Sequence, residues 1–230
     1  MNQQRDYYNE ELLQQNYNRI WDSNKEILLK GGKGDSFLQS SEKDTRMAIA
    51  LLIRIKGEVS HKISEYIQKL KGIDSSLYYY PQQDFHITVL DILRGEPDRK
   101  IPENIESYVS CIQKYVEKIS PFFIKFKGTT ASDNCVLVCG YYEYGMEEVR
   151  QTIREALAEN KLDLEERYKT FSSHITVARI IDKIRNVDVV LPNLKNDIEF
   201  GCMKVDSLEL SFHNWYDSQK TKIAEFKLGK

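Results

Sequence analysis

Hydrophobic positions recur along this chain with two different periods. Over the first thirty residues, Leu12, Leu13, Tyr17, Ile20, Trp21, Ile27 and Leu28 return every three or four positions among Gln, Asn, Glu and Arg. That spacing predicts one or two amphipathic helices packed on the body. Gly31-Gly32 is the expected stop, followed by a loop through Lys33-Gly34-Asp35-Ser36. From Arg46 the pattern changes. Met47–Lys56 is a continuous apolar run, the mark of a strand covered on both faces. Val59–Lys71, Glu103–Ile119 and Met146–Asn160 have helical spacing, through Ile63, Ile67 and Leu70, then Ile105, Val109, Ile112 and Val116, then Val149, Ile153 and Leu157. Leu77–Tyr80, Phe85–Leu93, Phe122–Lys127, Cys135–Tyr142, Phe171–Ile181, Glu199–Phe212 and Lys222–Leu228 read as strands. Strands and helices mix without a strict β-then-α rhythm, so the expected class is α+β with mainly antiparallel pairing. The organisation expected is an N-terminal helical extension and loop over residues 1–45, then a two-lobed domain over 46–230.

Composition narrows the partners. The chain has 230 residues, with 33 basic against 35 acidic side chains and a net charge of -2. A protein living on the phosphate backbone of long nucleic acid usually carries a basic excess, so the balance points away from that role and leaves a nucleotide or short RNA open. The apolar runs are far too short to span a bilayer, and the N-terminus lacks the apolar core of a signal peptide. Four cysteines (Cys111, Cys135, Cys139 and Cys202) are too few for a disulfide framework and suit a reducing compartment. A cytoplasmic, folded monomer with no membrane partner is the expectation.

One word occurs twice. His86-Ile87-Thr88-Val89 returns letter for letter as His174-Ile175-Thr176-Val177 in a chain with only 4 histidines. Chance produces such a coincidence in roughly one chain in a thousand, which argues for a duplication. Each copy follows a polar loop, Pro81-Gln-Gln-Asp84 or Ser172-Ser173, and sits near the start of an expected strand. Residues i and i+2 of a strand share a face, so each lobe presents one imidazole and one hydroxyl side by side, backed by Ile and Val. Two such pairs across a groove would give a symmetric site. One histidine, His86 or His174, acts as base and the other as acid, while Thr88 and Thr176 bond the non-bridging oxygens of a phosphate. Phosphodiester cleavage needs that division of labour. With both imidazoles near their ordinary pKa of about 6.5, the optimum is expected roughly between pH 6 and 8.

Paired His-x-Thr words on strands of a two-lobed α+β chain resemble the 2H phosphoesterase superfamily, which includes the bacterial 2′-5′ RNA ligase-like proteins and several cyclic nucleotide phosphodiesterases. The resemblance covers about residues 46–230. It implies a metal-independent phosphodiesterase with no cofactor, acting on a cyclic phosphate or a 2′-5′ or 3′-5′ phosphodiester in a nucleotide or short RNA. His174-Ile-Thr-Val-Ala-Arg179 looks like the family's second motif with its trailing arginine, and by that likeness Arg179 is a candidate substrate contact. Strict alternation aims Arg179 away from His174, so it reaches the groove only past a bulge or a bend. Asp91 stands where the first word should carry the matching arginine, which makes the two lobes chemically unequal. A nucleotide-binding module that senses without cleaving, and an RNA end-joining activity running the reaction in reverse, remain open alternatives.

Other residues carry weaker signals. Of Tyr78-Tyr79-Tyr80, mainly structural by expectation, Tyr80 is the candidate ligand contact. His213, where a strand end enters a turn, is open as a third catalytic histidine but is expected to be structural or exposed, and His61, near a helix start, is expected on the surface. Cys135-x-x-x-Cys139 puts both thiols on one face of an apolar strand, where they pack as small core residues, and no histidines pair at metal-ligand spacing.

Overall fold

A computed structural model describes residues 5–40 and 43–229; residues 1–4 and 41–42 of the expected N-terminal extension lie outside the described residues. Two antiparallel sheets carry the fold. In chain order the elements are α1 (Glu10–Leu28), α2 (Ser36–Gln39), β1 (Arg46–Arg54), α3 (Gly57–Ile73), β2 (Tyr78–Tyr79), β3 (His86–Pro97), α4 (Ile105–Val116), β4 (Phe122–Ala131), β5 (Cys135–Tyr142), α5 (Gly145–Glu159), β6 (Ile175–Arg179), α6 (Val187–Leu194), β7 (Asn196–Val205), β8 (Ser207–Asn214) and β9 (Lys220–Lys227). The first sheet has the order β3-β1-β8-β9 and the second β2-β6-β5-β4-β7. The first word opens β3 and the second opens onto β6, so each sheet holds one copy.

The apolar run of β1 is covered as its composition requires, with Ile49 through Ile53 all buried. The helices pair off by sheet: α1 packs on β4 and β5, α3 on β7 and β6, α4 on β9, and α5 on β3. The N-terminal periodicity forms one helix, α1, whose Leu13, Tyr17, Trp21 and Leu28 face the body. Its Tyr17 hydroxyl donates to the Gly140 carbonyl at 2.9 Å, tying the helix to β5.

Three elements differ from the sequence expectation. The expected strand Glu199–Phe212 breaks at Asp206, placing β7 in the second sheet and β8 in the first. Phe171–His174 makes no ladder, because Arg150 takes the carbonyls of Phe171 and Ser172 at 2.8 and 2.6 Å. The stretch Val187–Leu194, unassigned by its short apolar pattern, is helix α6 despite Pro192 inside it. Among the described residues no helix is long and apolar enough to cross a membrane.

Candidate active site

The two copies of the word distort their strands in the same way. In β3 the partner of Leu51 is Leu90 and the partner of Leu52 is Thr88, so Val89 is an extra residue opposite β1. In β6 the partner of Val136 is Ala178 and the partner of Leu137 is Thr176, so Val177 is extra opposite β5. A bulge at the fourth letter flips the alternation beyond it. Asp91 and Arg179, which strict alternation turns away, therefore line one cavity with His86, Thr88, His174 and Thr176. The freed carbonyls find other donors: Val89 O accepts from Arg150 Nε at 3.1 Å, and Val177 O from the Tyr80 backbone N–H at 3.1 Å.

The histidines are held differently. His86 Nδ1–H donates to the Asp84 carbonyl at 2.8 Å, which fixes the neutral tautomer and leaves Nε2 as the free nitrogen. Asp217 Oδ2 lies 3.9 Å from the same Nδ1. His174 Nδ1 lies 3.0 Å from Ser172 Oγ, a hydroxyl that can give or accept the bond. Burial pushes the His86 pKa below its ordinary value, with Asp217 working the other way. Burial pushes His174 to about 4, and the charges of His86, Arg150 and Arg179 act in the same direction. Burial thus favours the neutral form of both rings.

A buried charge network backs the first histidine. Asp217 is wholly buried in the turn after β8, at φ 56°, a left-handed conformation that Asp tolerates better than most residues. It accepts from Lys220 Nζ at 2.9 Å and from the Arg54 guanidinium. Burial opposes its charge, but the Arg54 hydrogen bond and the neighbouring cations hold its pKa below the carboxylate range. Its other oxygen lies 3.4 Å from His213 Nδ1. The His213 ring packs edge-on against His86, 5.9 Å between centroids, and lines the cavity. Neither of its nitrogens has a hydrogen-bond partner. Burial first, then the charge of His86, pushes His213 to about 4.

His213 is thus structural in burial, as its sequence position suggests, yet it also faces the site, where the sequence reading holds a third histidine only as the lesser alternative. The signal that could have found it is the four-residue step to Asp217 across a tight turn. His61 sits on the surface beside Glu65.

On the second lobe, Arg179 Nε donates to the Tyr80 hydroxyl at 2.9 Å. Tyr80 is buried and borders the cavity, and its hydroxyl is committed to that bond. Towards the mouth stand Trp215, Tyr168 and Arg167, with the Arg167 guanidinium 5.4 Å from the Trp215 ring. Burial raises the pKa of Asp91 and nearby Arg167 opposes the rise. The cavity therefore has an inner end with three imidazoles, two hydroxyls and the Arg179 guanidinium, and an aromatic, cationic mouth. Such an interior can exchange protons with a phosphodiester without metal ligands; among the described residues no three His, Cys, Asp or Glu side chains converge as a metal site.

The AKAP7 2′5′ RNA ligase-like domain family model matches residues 49–223. Among solved structures, TT0787 of Thermus thermophilus is similar over 80% of this chain and 99% of its own, with a TM-score of 0.62 at 18% identity. LigT of E. coli, solved with 3′-AMP, is similar over 81% of this chain and 99% of its own, with a TM-score of 0.56 at 12% identity. No curated protein matches the sequence.

Proposed function

The chain belongs to the AKAP7 2′5′ RNA ligase-like domain family, within the 2H phosphoesterase superfamily, and from that premise we propose that it is a metal-independent phosphodiesterase. Its substrate is a cyclic phosphate or a 2′-5′ or 3′-5′ phosphodiester of a nucleotide or short RNA. The observation that carries this reading is that the histidine and threonine of both words line one cavity. The 3′-AMP held by LigT, a protein of the same fold, supports a nucleotide as ligand.

Charge divides the roles of the two rings. His86 is backed by a carbonyl that accepts from Nδ1 in both protonation states and by the Asp217 carboxylate, which work against burial and the charges of Arg54 and Lys220 and make its imidazolium easier to form than that of His174. His174 sits among cationic groups and has only a hydroxyl behind it. In the proposed reaction His174 takes the proton of the attacking water or hydroxyl, and the new P–O bond forms. His86 Nε2 gives its proton to the leaving oxygen as the old P–O bond breaks. Thr88 and Thr176 donate to the non-bridging oxygens, and Arg179 balances their charge. The mouth, with Trp215 and Tyr168, suits a stacked base.

Incubation with cyclic nucleotides and 2′-5′- and 3′-5′-linked dinucleotides in EDTA, read by mass, tests the proposal. Hydrolysis that survives chelation is expected. Activity lost to EDTA and restored by a divalent ion overturns the mechanism. A thermal shift without product identifies a binding module, and a joined product from cyclic-phosphate ends identifies ligation.

A further inference from the structure

Arg179 is held by a residue outside the stretch that the family model matches. After α1 the chain runs along the β4–β5 turn and the segment that follows the second word. Lys33 N donates to Asp133 O at 2.7 Å, Asp35 N to Ile180 O at 2.9 Å, and Ile184 N back to Gly31 O at 2.9 Å. The approach is close: a Cβ on Gly34 would stand 2.7 Å from the Asp182 carbonyl, so no larger residue fits there. This run brings the Asp35 carboxylate to the edge of the site. Its Oδ1 caps α2 by accepting from Phe37 N at 3.1 Å and also accepts from the Tyr216 hydroxyl at 2.9 Å. Its Oδ2 lies 3.7 Å from the Arg179 guanidinium. The Tyr216 ring lies 5.6 Å from the same guanidinium. Arg179 is therefore hydrogen-bonded at Nε to Tyr80 and faced at a terminal nitrogen by the Asp35 carboxylate, which is in turn fixed by Tyr216 and the α2 backbone.

We propose that the N-terminal segment is part of the site, with Asp35 as the positioning residue that aims Arg179 at the bound phosphate. The inference rests on the phosphoesterase reading only in giving Arg179 a phosphate to meet. An arginine free to rotate gives up side-chain entropy each time it binds, whereas one hydrogen-bonded at Nε and paired with a fixed carboxylate is already in place. Asp35 lies before residue 49, outside the stretch that the family model matches.

The test is a double-mutant cycle of Asp35→Asn and Arg179→Gln, read by kcat/KM and by calorimetric binding of adenosine 2′- and 3′-monophosphate. Asparagine keeps the size of Asp35 and the α2 cap and removes the charge facing Arg179. The expected result is an approximately three- to tenfold loss in affinity and in kcat/KM for Asp35→Asn that disappears in the Arg179→Gln background. Tyr216→Phe, which frees Asp35 without touching its charge, should give a smaller loss of the same kind. Gln39→Ala cuts another tether of the segment, its bond to the Ile181 carbonyl, and should leave affinity unchanged. Unchanged or tighter binding by Asp35→Asn overturns the inference, and so does a loss that persists without Arg179. The binding arm needs no turnover: a chain that binds the monophosphates without cleaving diesters fails the phosphoesterase reading but still decides this one. A parent that binds neither monophosphate overturns both.

Discussion

Arg150 spends its guanidinium on three backbone carbonyls, those of Val89, Phe171 and Ser172, and it is wholly buried in doing so. The first acceptor is the bulged residue of one word and the other two lead into the second, so one side chain on α5 ties both copies together. Methionine there would leave the Val89 and Ser172 carbonyls without a donor and the Phe171 carbonyl with only the Tyr142 hydroxyl, at a cost of about 1–3 kcal/mol for each unpaired carbonyl that water cannot reach. Arg150→Met should lower the melting temperature by many degrees, with Arg150→Lys in between, as calorimetry would register. The division of roles between the histidines has its own test. A p-nitrophenyl leaving group departs without protonation, so a nucleoside p-nitrophenyl phosphodiester should restore most of the roughly hundred- to ten-thousandfold loss expected for His86→Ala and little of that for His174→Ala. Equal rescue of both would erase the assignment. At this scale the repeated word made His86, Thr88, His174 and Thr176 legible. Arg150 and Asp217 were not, because a lone arginine on a helix and a lone aspartate in a turn look like solvated positions until the fold buries them.

Among the elements, the paired bulges decide what the cavity contains. Period-two reading turned Arg179 away and named the device needed to bring it back; the extra residue at Val177 is that device, and its twin at Val89 brings in Asp91. Bulges have no strong sequence mark when the extra residue is an ordinary valine, and so they were invisible beforehand. The split of β7 from β8 was hidden for a similar reason, since Asp206 is a single polar residue between two alternating runs. The approach of β5 to the second word is tight as well. A Cβ on Gly140 would meet the Ser173 carbonyl at 2.1 Å, one residue before His174. Gly140→Ala should therefore displace the loop that carries His174. The expectation is a kcat reduced by at least tenfold with the fold retained at lower temperature, checked by kinetics beside a melting curve. A variant with full activity would show that the loop yields without moving the ring.

Across the whole molecule, three histidines, His213 buried and His86 and His174 partly so, make the fold sensitive to acid. His174 and His213 titrate at about 4 and His86 below its ordinary value, while the unfolded chain takes up these protons near 6.5. The unfolded state therefore binds more protons between those values. The stability these neutral rings provide is present above about pH 6.5 and is lost as pH falls towards 4. The melting temperature should drop by several degrees from pH 7 to pH 4.5, and His213→Phe should flatten that slope. The same depression moves the optimum of kcat/KM below the ordinary histidine value of about 6.5, because the free site must hold one proton between the two catalytic rings. The two-sheet plan was legible from the duplication, but the exchange of strands between its halves was not. Leu51 of β1 pairs with Leu210 of β8, so the strand beside the first word waits for nearly the whole chain before its other edge is filled. During synthesis β1 and β3 emerge early, and until β8 arrives the apolar run Ile49–Ile53 offers a bare edge to any other nascent chain. A polypeptide released before Ser207 should aggregate rather than persist as a smaller enzyme.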